Sequence, residues 1–136
     1  MCRESLPSTR KSWTVKVIID GQSFFLTCGE YSDGRLGEIW ITASKAGTFL
    51  RGVLDTLARQ TSISLQWGVP ISEVIRSMQL LNYPPQGEVQ GSTIVKYATS
   101  IADWVSQELC ATYCSGGISQ ILVEKSAGFI SKSKHV

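Results

Sequence analysis

The sequence predicts an α+β fold: a three-stranded antiparallel meander with two long helices and one short helix packed on one face. Three observations carry that prediction. Apolar residues alternate with others along residues 13–28, broken by an Asp20-Gly21 dipeptide. A strand over residues 38–43 passes through a short polar loop into a long half-apolar helix that Gly68 stops. A further apolar stripe recurs every three or four positions from Ile94 to Leu109.

Size and composition set the frame. A chain of 136 residues predicts one domain, able to bury roughly two-thirds of its unfolded surface. Hydrophobic and charged fractions of 43% and 18% are globular values. A formal charge of +2 without a long basic run excludes a binder of DNA or RNA duplexes. No apolar stretch approaches the ~20 residues that a membrane span needs. The opening MCRESLPSTRKSW lacks the apolar core of a signal peptide, so the four cysteines predict reduced thiols and a cytoplasmic protein.

Residues 1–12 read as a loose polar leader, followed by a single domain over 13–117 and a tail over 118–136. Trp13, Val15, Val17 and Ile19 alternate with Thr14, Lys16 and Ile18, the period of a half-buried strand. Asp20-Gly21 suits a tight hairpin turn. Phe24, Leu26 and Cys28 continue the apolar face in a second strand. Ser32-Asp33-Gly34 turns into the third, where Ile39 and Ile41 point one way and Trp40 the other. Short turns between three strands predict a meander.

From residue 48 a helix presents Leu50, Val53, Leu54, Leu57, Ala58, Thr61 and Leu65 on one side. Arg51, Asp55, Arg59, Ser62 and Gln66 fall largely on the other. Pro70, tolerated where a helix begins, predicts a short second helix to about residue 80, with Val74, Ile75 and Met78 inward. The segment NYPPQGEVQG over residues 82–91 reads as a surface loop. Ser92 is the expected N-cap of the third helix, whose stripe is Ile94, Ala98, Ile101, Ala102, Val105 and Leu109. Ser115-Gly116-Gly117 ends it, and the apolar run 118–123 is a candidate edge strand or a pairing surface for another copy.

Chemistry is sparse. The one histidine, His135, stands almost at the C-terminus, which argues against a Ser-His-Asp or Cys-His nucleophile in the folded part. Cys110 and Cys114 share a helix side at i, i+4, yet no second cysteine pair completes a zinc site. Buried thiols are the better reading. No carboxylate pair stands out, so neither catalytic residue, metal nor cofactor is predicted.

One turn has specific physical content. Lys45-Ala46-Gly47-Thr48 opens the long helix, whose first N–H groups lack internal partners and carry the positive end of the dipole. Gly47 admits a ligand to the backbone, Thr48 offers a hydroxyl, and Lys45 and Arg51 add charge. These residues form a candidate anion site, most naturally for phosphate. Arg35 is a further candidate cation, and Tyr83, Tyr97 and Trp104 are candidate stacking walls. A capped helix with solvated cations, and aromatics buried in the core, are the plain alternatives.

A family resemblance rests on ordered residues across several turns. Leu6-Pro7, Arg10, Gly21, Tyr31, Asp33-Gly34 and Gly37-Glu38-Ile39 closely resemble part of the vitamin-B12-dependent (class II) ribonucleotide reductases. So do Lys45-Ala46-Gly47, Gly52, Asp55, Leu65-Gln66, Gly68-Val69-Pro70, Ser100-Ile101 and Asp103-Trp104. The resembling part is their C-terminal module, the TSCPD domain, matched over residues 6–109.

In that family the radical chemistry belongs to a separate, larger barrel with cobalamin and the catalytic cysteines. Nothing here maps onto those residues. The family's paired C-terminal redox cysteines also lack a counterpart, because Cys110 and Cys114 have the wrong spacing. Leu36 stands where relatives show proline, and Trp40 where they show phenylalanine. The resemblance therefore implies a non-catalytic, free-standing module.

Two functions follow as expectations. One is an oligomeric module that holds or sequesters a phosphate-bearing nucleotide. The other is an accessory domain that docks on a ribonucleotide reductase or another protein without a small ligand. A stand-alone nucleotide enzyme is the weakest of three, because no acid–base set is visible.

Overall fold

A computed structural model describes residues 2–114. The expected meander is present: β1 (Ser12–Ile19), β2 (Gln22–Glu30) and β3 (Leu36–Ala43) pair antiparallel in sequence order. Asp20 and Gly21 both take positive φ, 50° and 75°, as a two-residue hairpin turn requires. The strand register sets Val17 opposite Phe24, and Leu26 opposite Ile41, so the apolar residues of three strands share one face. Trp40 lies on the opposite, exposed face.

α1 (Thr48–Gln66) packs on β3, and α2 (Ile71–Met78) packs against α3 (Ile101–Tyr113). The core beneath them gathers Phe24, Leu26 and Ile39 from the sheet, Leu54 from α1, Ile75 from α2, and Trp104 from α3. Packing rather than propensity holds α1. Its β-branched residues and Gly52 each cost about 0.5–1 kcal/mol against alanine, whereas burying a leucine contributes roughly 1.5–3 kcal/mol. Leu54, Ala58 and Thr61 are buried, and Leu50, Leu57 and Leu65 pack against the core.

The structure departs from the sequence reading in several places. Residues 82–91 are not wholly loop. β4 (Gly87–Gln90) pairs with β1, β5 (Tyr97–Ala98) pairs with β4, and the sheet order becomes β3-β2-β1-β4-β5. The third helix does not begin at Ser92. That hydroxyl accepts from the backbone N–H groups of Ile94 and Val95 in a local turn, and donates to Glu108. Ile94 is accordingly exposed, and Ala98 belongs to a strand.

The true cap is Ser100, which accepts from Asp103 N. Asp103 answers by accepting from Thr99 N, and also from Leu80 N and Gln107 Nε2. α3 ends at Tyr113 with Cys114 as its cap, so the expected stop at 115–117 and the candidate strand at 118–123 lie outside the described residues.

The leader is not loose. Glu4 N donates to Gln66 O, Tyr31 Oη donates to Glu4 O, and Arg10 pairs with Glu38 at 2.5 Å. Gly37 makes this possible: a Cβ there would stand 2.5 Å from the Leu6 side chain and 2.8 Å from the Tyr31 ring.

β3 is an edge strand, and α1 closes the first half of its free margin. Ser62 Oγ accepts from Ile39 N at 2.9 Å and lies 3.2 Å from Ile39 O. One turn on, Gln66 Nε2 donates to Gly37 O at 2.9 Å. Backbone groups that would otherwise invite another strand are thereby satisfied within the chain.

Candidate functional site

The turn from β3 into α1 leaves a helix N-terminus open to solvent. Gly47 is the N-cap with extended backbone, and among the described residues no side chain caps the helix. No acidic residue stands in the first turn. The opening N–H groups therefore face outward without an internal acceptor. Lys45, Gly47, Thr48 and Arg51 are exposed, with Ala46 half-buried between them. Among the described residues neither Lys45 nor Arg51 forms an ion pair. Two unneutralised cations thus flank an uncapped helix N-terminus.

The other candidates do not join this turn. Arg35 is engaged elsewhere: both guanidinium nitrogens of its fork donate to Glu4 at 2.9 and 3.0 Å, and Nε donates to Asp33 at 2.7 Å. Its guanidinium also lies over the Tyr31 ring, 4.7 Å from the centroid. Hydrogen bonds from Arg35 hold the Asp33 carboxyl below its ordinary pKa.

Trp104 is wholly buried and cannot stack on a ligand from solvent. Tyr83 and Tyr97 are exposed, but Tyr97 sits on β5, Tyr83 N donates to Thr99 O just beyond it, and β3 lies at the far edge. Four strand spacings of about 4.8 Å put roughly 19 Å between those edges. Within one chain, then, the structure assembles the cationic turn without its aromatic walls.

A second polar cluster was not read from the sequence. A hollow of about 370 Å³ is lined by Trp13, Glu30, Ser92, Glu108 and Thr112, among others. Burial raises the Glu108 pKa, and donors on Ser92 and Trp104 oppose the rise. The Ser92 bond is well formed at 3.0 Å. The buried Trp104 indole N–H lacks a hydrogen bond of good geometry, so its effect on Glu108 is the weaker. At the rim Trp13 Nε1 donates to Tyr113 Oη at 2.8 Å, and that hydroxyl donates to Glu30 at 2.5 Å. These bonds tie β1 and β2 to the end of α3. Only two carboxylates separated in sequence, Glu30 and Glu108, could have signalled this cluster, and no local spacing relates them.

Val53 also departs from its expected place. Assigned to the buried stripe, it is 48% exposed, and Phe49 one turn earlier is 86% exposed. With Ile63 and Trp67 they form a second, outward stripe on α1. Its signal was present as apolar residues at 49, 53, 63 and 67 with no charge at the intervening 56 and 60.

The thiols are as expected. Cys28, Cys110 and Cys114 are buried and free, and Cys2 is exposed. Burial, then Cys110, pushes the Cys114 thiol up to about 11. Among the described residues no group of three or more Cys, His, Asp or Glu side chains could hold a metal, and no helix is long and apolar enough to cross a membrane.

Comparison with known proteins supplies what the geometry does not. The family model described as the TSCPD domain matches residues 3–113. A vitamin B12-dependent ribonucleotide reductase of Bradyrhizobium diazoefficiens is 43% identical over 113 residues, which are 83% of this chain and 9% of that protein. The enzyme of the same name from Agrobacterium fabrum is 40% identical over 111 residues, 82% of this chain and again 9% of that protein. One from Rhodopirellula baltica is 36% identical over 114 residues, 84% of this chain and 11% of that protein. The chain thus spans about a tenth of the length of these relatives. No solved structure matches it. With its meander, its Lys45-Ala46-Gly47 turn and its Ser100–Asp103 cap all inside the matched region, the chain belongs to the TSCPD domain family.

Proposed function

We propose that this chain is a non-catalytic, oligomeric module that binds or sequesters a phosphate-bearing nucleotide at the opening turn of α1. The observation that carries the reading is the uncapped helix N-terminus between Lys45 and Arg51, with no carboxylate in its first turn and no ion pair on either cation among the described residues. An anion there meets unpaired N–H groups, the positive end of the dipole and two cations together.

Magnitudes say why an assembly belongs to the reading. A helix terminus contributes about 0.3–1 kcal/mol per charge, whereas micromolar affinity requires about 8 kcal/mol. One turn does not suffice. Two or more copies can bring several turns, and the distant Tyr83 and Tyr97 of neighbours, to one ligand.

Thermal shift with a panel of nucleotides tests it. At a ligand concentration 100 times Kd, linkage raises stability by about 2.7 kcal/mol, a rise in Tm of roughly 10 °C for a domain of this size. Lys45→Ala with Arg51→Ala should abolish the rise. If no nucleotide shifts Tm, the nucleotide reading fails.

The second reading, an accessory domain that docks on a ribonucleotide reductase or other protein, is favoured by one observation. The matched relatives carry this region as a small part of a reductase. Titration of the chain into such an enzyme, followed by sedimentation, separates the two.

A further inference from the structure

β1 has two margins, and among the described residues only one of them is paired along its whole length. β2 pairs with every residue from Ser12 to Ile19, whereas β4 pairs only with Ile18 and Ile19. Lys11 O accepts from Glu30 N, its opposite number on β2. By the alternation of an antiparallel pair, the odd-numbered residues of β1 therefore bond to β2, and the even-numbered ones turn their peptide groups the other way. At Ile18 that side meets Gln90. At Lys16 the chain leaves through Gly91, so close that a Cβ there would stand 2.6 Å from Lys16 O. The peptide groups of Ser12 and Thr14 meet no strand on that side among the described residues.

The side chains tell the same story. Trp13 and Val15 carry the phase of Val17 and Ile19, which are wholly buried, yet they are themselves only half-buried. They line the hollow of about 370 Å³, to which Ile94 comes from the segment leaving β4 and Thr112 from the last turn of α3. The inward face of β1 is thus unfinished where its margin is bare. A bare margin is a template for extended chain, and at the opposite edge of the sheet Ser62 and Gln66 satisfy it.

Where the described chain ends points to what completes β1. β5 runs in the direction of β1, because each pairs antiparallel with β4. α3 then brings the chain back to Tyr113, whose hydroxyl accepts from Trp13 Nε1 at 2.8 Å. The chain leaves there, at the start of the bare stretch, and a helix is the usual crossover between parallel strands. Ser115-Gly116-Gly117 follows. Three residues reach about 10 Å, and glycine permits a sharp reversal. The next segment is Ile118-Ser119-Gln120-Ile121-Leu122-Val123, aliphatic at four of six positions and without charge or proline. Such a composition suits a half-buried strand. Ser12 to Lys16 spans about 13 Å, well within the length of six extended residues.

We infer that the bare margin of β1 over Ser12–Lys16 is the docking site for residues 118–123 of the same chain, which add to it as a parallel strand with Ile121 turned into the hollow beside Val15. The added strand supplies partners for the peptide groups of Ser12 and Thr14. Ile121 and Val123 fall on one side of an extended segment, where they cover the half-buried face that Trp13 and Val15 present. The inference is independent of the nucleotide reading, since α1 takes no part in it.

Amide hydrogen exchange on the full chain, read residue by residue by NMR, tests it. The Thr14 N–H should exchange about 100-fold more slowly than in an unfolded chain. The double variant Ile121→Pro with Leu122→Pro removes two successive donors, one of which must point at β1. It should return Thr14 to within about 10-fold of the unfolded rate. Val15 and Val17, bonded to β2, should keep their wild-type rates, which shows that the domain itself remains folded. A wild-type Thr14 that exchanges as fast as an unfolded chain overturns the inference. So does protection that survives both prolines, because another group then closes the margin. Dilution identifies the donor of the strand: protection should not change with concentration, and protection lost on dilution assigns the strand to a second copy and overturns docking within the chain.

Discussion

Ser62 offers the sharpest test of how the sheet is finished. Its hydroxyl accepts from Ile39 N at 2.9 Å and shares its proton between Ala58 O at 2.8 Å and Ile39 O at 3.2 Å. Ser62→Ala leaves the Ile39 N–H, which faces neither β2 nor open water, without an acceptor. An unsatisfied, partly buried backbone donor costs about 1–3 kcal/mol. Alanine's better helix propensity returns roughly 0.5 kcal/mol. The net loss should be about 1–2 kcal/mol.

Urea denaturation reads this as a lower midpoint at unchanged slope. Ser64→Ala is the internal control. Among the described residues its hydroxyl bonds only Gln60 O, on the same helix, so replacement should be neutral or slightly stabilising. If the two variants prove equally stable, Ser62 does not close the edge, and the account given for β3 is wrong.

Two further outcomes follow from the buried groups. Burial raises the Glu108 pKa above its ordinary 4.5, so the folded state holds that proton more tightly than the unfolded one. The associated stability is fully present below pH 4.5 and is lost as pH climbs through the folded value. Glu108→Gln, which keeps an acceptor for Ser92, should remove that decline, so its advantage over wild type should grow from acid to neutral pH in parallel denaturation series. An advantage independent of pH would refute the assignment. Thiol titration should find one fast group in the native chain, Cys2, and four after denaturation. Prompt reaction of a second native thiol would contradict the burial of Cys28, Cys110 and Cys114.

Much of the architecture was legible because it is written in local periods. Alternation marked β1 and β2, Asp20-Gly21 marked their turn, and the three-and-four spacing of Leu50, Leu54, Leu57 and Leu65 marked α1. The third helix was misread because two serines compete as caps. Ser92 and Ser100 both precede apolar residues, and Ile94 and Ala98 happen to share the phase of Ile101. What decides is Asp103, whose carboxylate collects three donors from separate segments. No window centred on Ser92 contains that bond to Leu80.

The candidate site was only half legible for the same reason. The α1 turn is built from neighbours in sequence, and Lys45, Gly47, Thr48 and Arg51 are exposed there. Arg35 is occupied by Glu4, which lies 31 residues away, and local spacing carries no trace of such a pairing. Trp104 could not be placed by its stripe either, since a buried and an exposed aromatic on an amphipathic helix obey one spacing rule. Val53 shows the converse: α1 carries two adjacent apolar stripes, and periodicity alone does not say which of them faces the sheet.

The helix that seals β3 also decides what kind of neighbour this molecule can accept. Peptide groups are alike in every protein, so a bare sheet margin recruits strands indiscriminately and can propagate into a fibre. Here the margin at residues 37–39 is spent on a hydroxyl and an amide of the same chain. Along residues 37–39 any lasting contact must instead be made through side chains. Those differ from one protein to another, so the molecule becomes choosy about its company.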